Sequence, residues 1–154
     1  MIFTETNNMI IKKNNIDNLF KSIQYVFVIA SYNNESNIYK NITSIVMQKY
    51  KNWRIIYIND ASTDNTSQKL NELIHKYNIS EKVHYIENKT NMKQAFSKYT
   101  AYQMVGENEV VCVLDGDDWL KHDKVLNILN QYYENDKYHI VTSNFDIYEN
   151  DKLY

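Results

Sequence analysis

Val110-Val111-Cys112-Val113-Leu114-Asp115-Gly116-Asp117-Asp118-Trp119 is the stretch on which the reading of this chain turns. Five apolar residues in a row, closed by a polar turn, predict a short buried strand. Three carboxylates then fall within four residues. Like charges so close raise one another's pKa and oppose folding unless a cation neutralises them. Hard oxygen ligands of this kind suit Mg²⁺ or Mn²⁺, which keep positions open for phosphate oxygens. Gly116 is expected to let the turn be tight and to leave room for a ligand. The ordinary alternative is a solvated loop, with His122 or Asp123 capping a helix that follows.

Working outward, the same order of apolar run and polar cluster recurs. Tyr25–Ala30 and Arg54–Ile58 read as strands, and Val83–Ile86 as another. Between them Ile38, Ile42, Ile45 and Val46 recur at helical spacing. So do Leu70, Leu73, Ile74 and Tyr77, and more weakly Ala95, Tyr99 and Tyr102. Val125, Leu129, Tyr132 and Tyr133 predict a final helix, and Ile140–Thr142 a last strand. Strand–helix alternation requires crossover connections, hence an α/β fold with a mostly parallel sheet flanked by helices. Residues 1–22 are polar and Asn-rich, with weak helical periodicity around Ile16, Leu19 and Phe20, and read as a lead-in to a domain spanning 23–154.

In open parallel sheets ligands bind at the carboxyl ends of the strands. The polar clusters Ser31-Tyr32-Asn33-Asn34-Glu35-Ser36, Asn59-Asp60-Ala61-Ser62-Thr63-Asp64 and Asp115-Gly116-Asp117-Asp118 all fall there. Asp60 is placed to accept a hydrogen bond from a base or a ribose hydroxyl, while Ser62, Thr63 and Asp64 are placed to cap the next helix. Ser31, Tyr32 and Asn33 fit either a base-binding turn or a cap for a helix beginning near Ser36.

Composition closes off other readings. The 154 residues carry a net charge of −2 and a single arginine, Arg54, which counts against nucleic-acid recognition. Two glycines cannot supply Gly-x-Gly-x-x-Gly. Cys112, the single cysteine, reads as a small buried hydrophobe. His75, His84, His122 and His139 show no zinc-ligand spacing. Trp53 is expected to pack at the start of the second strand, and Trp119 either in the core or along the cleft. Without an apolar run of membrane-spanning length or a signal-peptide pattern, a cytoplasmic location is expected.

Together the three clusters resemble the family 2 glycosyltransferases of the GT-A fold, over about residues 24 to 145. Ala30-Ser31-Tyr32-Asn33 matches that family's Pro-Thr-Tyr-Asn-like turn. Asn59-Asp60-Ala61-Ser62-Thr63-Asp64 matches its Asp-Asp-Gly-Ser-x-Asp, and Asp115-Gly116-Asp117-Asp118 its Asp-x-Asp-Asp. The resemblance implies a Rossmann-like domain that binds a nucleotide-sugar, usually a UDP-sugar, with Mn²⁺ or Mg²⁺, for inverting transfer to an acceptor hydroxyl. Donor contacts are then expected from Ser31, Tyr32, Asn33, Asp60, Lys93, Asp115 and Gly116, and metal ligation from among Asp115, Asp117 and Asp118.

Two departures stand out. Where the family has Asn-x-Gly followed by Ala-Arg-Asn, this chain reads Asn91-Met92-Lys93-Gln94-Ala95-Phe96-Ser97-Lys98. Glycine has become Lys93 and the arginine is missing, with Lys93 and Lys98 the candidates for its charge, as a point rather than a fork. The family's acceptor-side base lies well downstream, and Asp146, Glu149 and Asp151 sit in no such motif, so the catalytic residue stays unassigned. The 154 residues are therefore expected to bind donor with little transfer, the alternative being a nucleotide-sugar-binding module. A nucleotidyltransferase is disfavoured, lacking its Gly-rich basic loop. Acceptor and oligomeric state stay open.

Overall fold

The computed structural model describes residues 23–133, 140–142, 146, 148–149 and 152–153. The lead-in, His139 and Asp151 lie outside them. Four parallel strands form one sheet: β1 (Gln24–Ser31), β2 (Trp53–Asn59), β3 (Val83–Glu87) and β4 (Glu109–Val113), in the order β3-β2-β1-β4. The helices are α1 (Ile38–Val46), α2 (Thr66–Tyr77), α3 (Gln94–Tyr102) and α4 (Val125–Tyr133). A short antiparallel pair, β5 (Tyr148–Glu149) and β6 (Lys152–Leu153), stands apart. Among the described residues no helix is long and apolar enough to cross a membrane.

The central strand explains the sequence pattern. β1 is covered on both faces, so its apolar run is continuous rather than alternating. Tyr25, Phe27 and Ile29 join Ile38, Ile42 and Ile45 of α1, Leu70 and Leu73 of α2 and Leu126 of α4 in the larger core. Val26 and Val28 face the other way, with Ile56, Ile58 and Ala101 of α3. Trp53 is buried in the larger core as expected, with the Lys82 ammonium 4.5 Å from its ring centre.

Two expectations fail here. Ile140–Thr142 forms no strand. Nor is β4 fully buried: Val111 is 37% exposed and Val113 53%. The reason is position. Among the described residues β4 pairs only with β1, and α3 packs over β1 and β2. Val110, Cys112 and Leu114 alone turn to the core. Burial pushes the Cys112 thiol up to about 12, so it stays a neutral hydrophobe. The arginine also proves structural: Arg54 Nε and Nη2 donate to the two Glu109 carboxylate oxygens at 2.7 Å each, tying β2 to β4 across β1.

Candidate functional site

Parallel register brings Ser31, Asn59 and Glu87 into one row at the carboxyl edge, with Val113 opposite Val28 on the far side of β1. The loops after β1 and β2 then lock together. Asp60 donates its N–H to the Ser31 carbonyl at 2.8 Å. Asn33, at φ 52°, donates its own N–H to Ser62 Oγ at 2.9 Å and accepts from Thr63 N–H through Oδ1 at 2.8 Å. Asn34 N–H bonds to Thr66 Oγ1 (2.9 Å) and Glu35 N–H to Asp64 Oδ2 (3.0 Å). The Glu35 carboxylate returns the bond, accepting from Asn65 N–H at 2.8 Å. Asp64 Oδ1 accepts the Thr66 N–H at 3.0 Å from one position ahead of the cap residue Asn65, which itself makes no side-chain capping bond. The helix after β1 begins at Ile38 rather than near Ser36, and its cap residue Asn37 makes no side-chain capping bond.

The aspartate turn docks on this platform. Asp118 N–H closes it onto the Asp115 carbonyl at 3.1 Å. A Cβ on Gly116 would lie 2.5 Å from Asn34 Nδ2, 2.7 Å from Ser31 Oγ and 2.8 Å from Ser31 Cβ. Its φ is not positive. Glycine is required here by close approach of two loops, not by a left-handed turn, since Ser31 and Asn34 lie where a side chain would project.

Charge in the turn is unbalanced. Asp118 is an exposed residue whose carboxyl is partly desolvated; that raises it above its ordinary range, and the Asp117 and Asp115 charges push it further the same way. Lys98 of α3, not Lys93, supplies the counter-charge, with Nζ 2.6 Å from Asp115 Oδ1. That oxygen is buried, and the Lys98 ammonium is the group that offsets its charge. Among the described residues no three potential ligand side chains are gathered into a cage. A hard cation that takes one or two carboxylates and completes its shell with phosphate oxygens and water fits such a turn; a cation needing an all-protein site does not.

Asp60 is 3% exposed. Its Oδ1 accepts from Asn88 Nδ2 at 2.7 Å and Met92 N–H at 2.8 Å. Burial alone raises this carboxyl, but the bonds from Asn88 and from the Met92, Lys93 and Ser97 groups outweigh it and hold it below the ordinary range. A depressed carboxyl adds stability above its unfolded pKa and loses it as pH falls through the folded value. Asp118, raised, has the opposite sign: its ionisation costs stability as pH rises.

The structure therefore sorts the sequence's candidates. Tyr32, 47% exposed, and Asp117, Asp118 and Lys93 face solvent at the edge, with Asp115 half-buried. Ser31 and Asp60 are buried and Asn33 is exposed, and all three brace the loops. Trp119 is half-buried, with the Lys40 ammonium 4.8 Å from its ring centre. Asp146 is an exposed residue, 2.5 Å from Lys121 Nζ. Asn88 and Ser97 were not legible as site residues, since nothing in their spacing links them to Asp60. An apolar groove of about 760 Å³ runs along β4, lined by Phe27, Cys112, Leu129 and Val141 among others, and holds none of the aspartates.

A family model described as Glycosyl transferase family 2 matches residues 26–154. The β-1,3-glucosyltransferase WfaP of Escherichia coli, named for UDP-Glc and GlcNAc-diphosphoundecaprenol, is 28% identical over 120 residues, which are 78% of this chain and 45% of that protein. Staphylococcus aureus TarS 1-349, solved with UDP-GlcNAc, superposes with a TM-score of 0.63 at 21% identity, covering 73% of this chain and 32% of that one. The mannosyltransferase PcManGT of Pyrobaculum calidifontis, solved with GDP-Man and Mn²⁺, gives 0.66 at 18% identity, covering 75% and 34%. The fold is thus the GT-A fold expected, and this chain spans less than half the length of each of these relatives.

Proposed function

The chain belongs to glycosyl transferase family 2, and from that premise we propose that its carboxyl edge is a donor site for a nucleoside-diphosphate sugar, a UDP-sugar by preference, held with Mn²⁺ or Mg²⁺. The reaction served is inverting transfer: an acceptor oxygen bonds to the anomeric carbon as the carbon–diphosphate bond breaks, and the hydroxyl proton leaves to a general base. The observation that carries this reading is the docking of three strand-end clusters on one another, with an incompletely neutralised aspartate turn at the open side.

In this reading Tyr32 stacks on the base, and Asp60 fixes residues 88–92 as the floor beneath it. Asp115, Asp117 and Asp118 supply the metal ligands and the ribose contact. A divalent cation, when bound, offsets the charge that develops on the leaving diphosphate. Lys98 balances Asp115 in the free protein and swings toward the diphosphate when donor arrives.

Thermal unfolding with nucleoside diphosphates tests the reading. UDP with Mn²⁺ at about 100 times its dissociation constant should add roughly 2.7 kcal/mol, and much less with EDTA. Asp117→Asn should remove the metal-dependent part and leave the fold intact, since it relieves repulsion among like charges. No stabilisation by any nucleoside diphosphate with metal present would sink the donor-site reading.

Lys98→Met keeps the apolar stem and deletes the charge. Mn²⁺ alone should then bind about threefold tighter, because Asp115 loses its competitor, while Mn²⁺–UDP binds about tenfold weaker. Calorimetric titrations of both ligands give the comparison. Changes in the same direction would contradict a lysine shared between Asp115 and diphosphate.

A further inference from the structure

Asn41 stands on α1, is 0% exposed, and commits both amide hydrogens to the aspartate turn. Its Nδ2 donates to the Asp115 carbonyl at 2.9 Å and to the Asp118 carbonyl at 2.8 Å. Its Oδ1 is buried with no hydrogen-bond partner. Flipping the amide would aim that oxygen at two carbonyl oxygens, so the orientation follows from the network. A buried acceptor without a partner is unfavourable, and an apolar residue would pack there without that cost. Helix packing gives no reason for an amide at this position. The turn does.

Asn41 is also the first of a series. Ser44 Oγ accepts the Leu120 N–H at 3.0 Å. Gln48, likewise buried, donates to the His122 carbonyl at 2.7 Å and accepts the Leu126 N–H at 3.1 Å, at the start of α4. Asn41 and Ser44 lie on one face of α1, beside the apolar stripe of Ile38, Ile42 and Ile45, and Gln48, just past the helix end at Val46, continues the line. This seam bonds main-chain groups between Asp115 and the first turn of α4, of which the Asp115 carbonyl also accepts the Asp118 N–H.

We propose that Asn41 is a positioning residue that sets the spacing of the Asp115 and Asp118 carboxylates through their main chain, and thereby the affinity of the turn for a cation–diphosphate group. The proposal rests on the donor-site reading. Mutual repulsion drives the two carboxylates apart, and Gly116 between them offers little resistance. Bonding both carbonyls to a single nitrogen opposes that drift. The side chain touches no reacting atom, so its effect reaches the ligand only through the turn.

The test compares the full chain with Asn41→Ala and the milder Asn41→Ser, in which a lone hydroxyl cannot serve both carbonyls. Three quantities are measured: Mn²⁺–UDP affinity, uridine affinity, and amide hydrogen exchange at Asp118. Both variants should bind Mn²⁺–UDP at least tenfold more weakly, bind uridine within threefold of the parent, and exchange the Asp118 amide at least tenfold faster. A residue that merely stabilised the helix would lower the unfolding temperature and leave the ratio of the two affinities unchanged. A folded variant with parental Mn²⁺–UDP affinity, or with unaltered Asp118 exchange, overturns the proposal. If Asn41→Ala fails to fold, Asn41→Ser decides. If the parent itself ignores Mn²⁺–UDP, the donor-site reading falls and with it the role in ligand affinity; exchange at Asp118 then reports separately whether Asn41 clamps the turn.

Discussion

Gly116→Ala should lower stability by about 3 kcal/mol and abolish Mn²⁺-dependent nucleotide binding in whatever remains folded. The added methyl meets Ser31 Oγ at 2.7 Å and Ser31 Cβ at 2.8 Å, and Ser31 is a buried residue at the end of the central strand. Such a short side chain on a sheet cannot move aside. Asn34 Nδ2, at 2.5 Å, has more freedom but gives up its 3.0 Å bond to Ser31 Oγ if it swings away. Relief must therefore come from the aspartate turn lifting off the β1 loop, which displaces the proposed ligands directly. Chemical denaturation and Mn²⁺–UDP titration measure the two effects. Ser31→Gly in the same chain removes two of the three clashes and should restore part of the stability, a coupling expected only if these residues meet. Parental stability in Gly116→Ala would show that the loops are not packed as described.

Lys93→Gly should do the reverse and stabilise the chain by about 1–2 kcal/mol. Lys93 holds φ 73° and ψ 153°, a region where a side chain clashes with its own backbone and which costs on the order of 1–3 kcal/mol outside glycine. Glycine gives back part of this, roughly 0.4–1 kcal/mol, through the greater freedom of its unfolded chain. The surroundings enforce the conformation: Asp60 Oδ1 grips the neighbouring Met92 N–H at 2.8 Å, and Asn91 Oδ1 accepts the Lys93 N–H at 3.0 Å. Ala61, at φ 62°, is the milder case of the same strain. Thermal unfolding of Lys93→Gly checks the expectation. A loss of stability would mean that the lysine ammonium makes a compensating interaction.

Both positions show how far the sequence carried. Ala61 and Lys93 stand where the resembled family has glycine, and the backbone keeps the glycine conformation in both places. The sequence reading reported the departure at Lys93 and passed over the one at Ala61, and only the structure shows that both side chains are held under strain. The four parallel strands were legible to within a residue at each end, and the helices by their apolar faces though not by their starts, because burial on one or both faces imposes periods of 2 and 3.6. The failures have the same root. The apolar run ending at Leu114 reads as buried on both sides, yet a run records composition and not neighbours. Whether β4 is central or at an edge depends on what pairs with it.

By itself, then, the sequence determined an α/β alternation, the placement of three polar clusters at strand ends, and the aspartate turn, because each follows from residues adjacent in the chain. Only the tertiary structure decided what each polar side chain does. Asn33 and Asp60 sit in the expected motifs and nevertheless hold loops, Lys98 rather than Lys93 reaches Asp115, and Asn41 reaches a turn 74 residues away. Such pairings depend on which helix face crosses which loop, and that is fixed by packing α1 and α3 against the sheet. No local spacing encodes it.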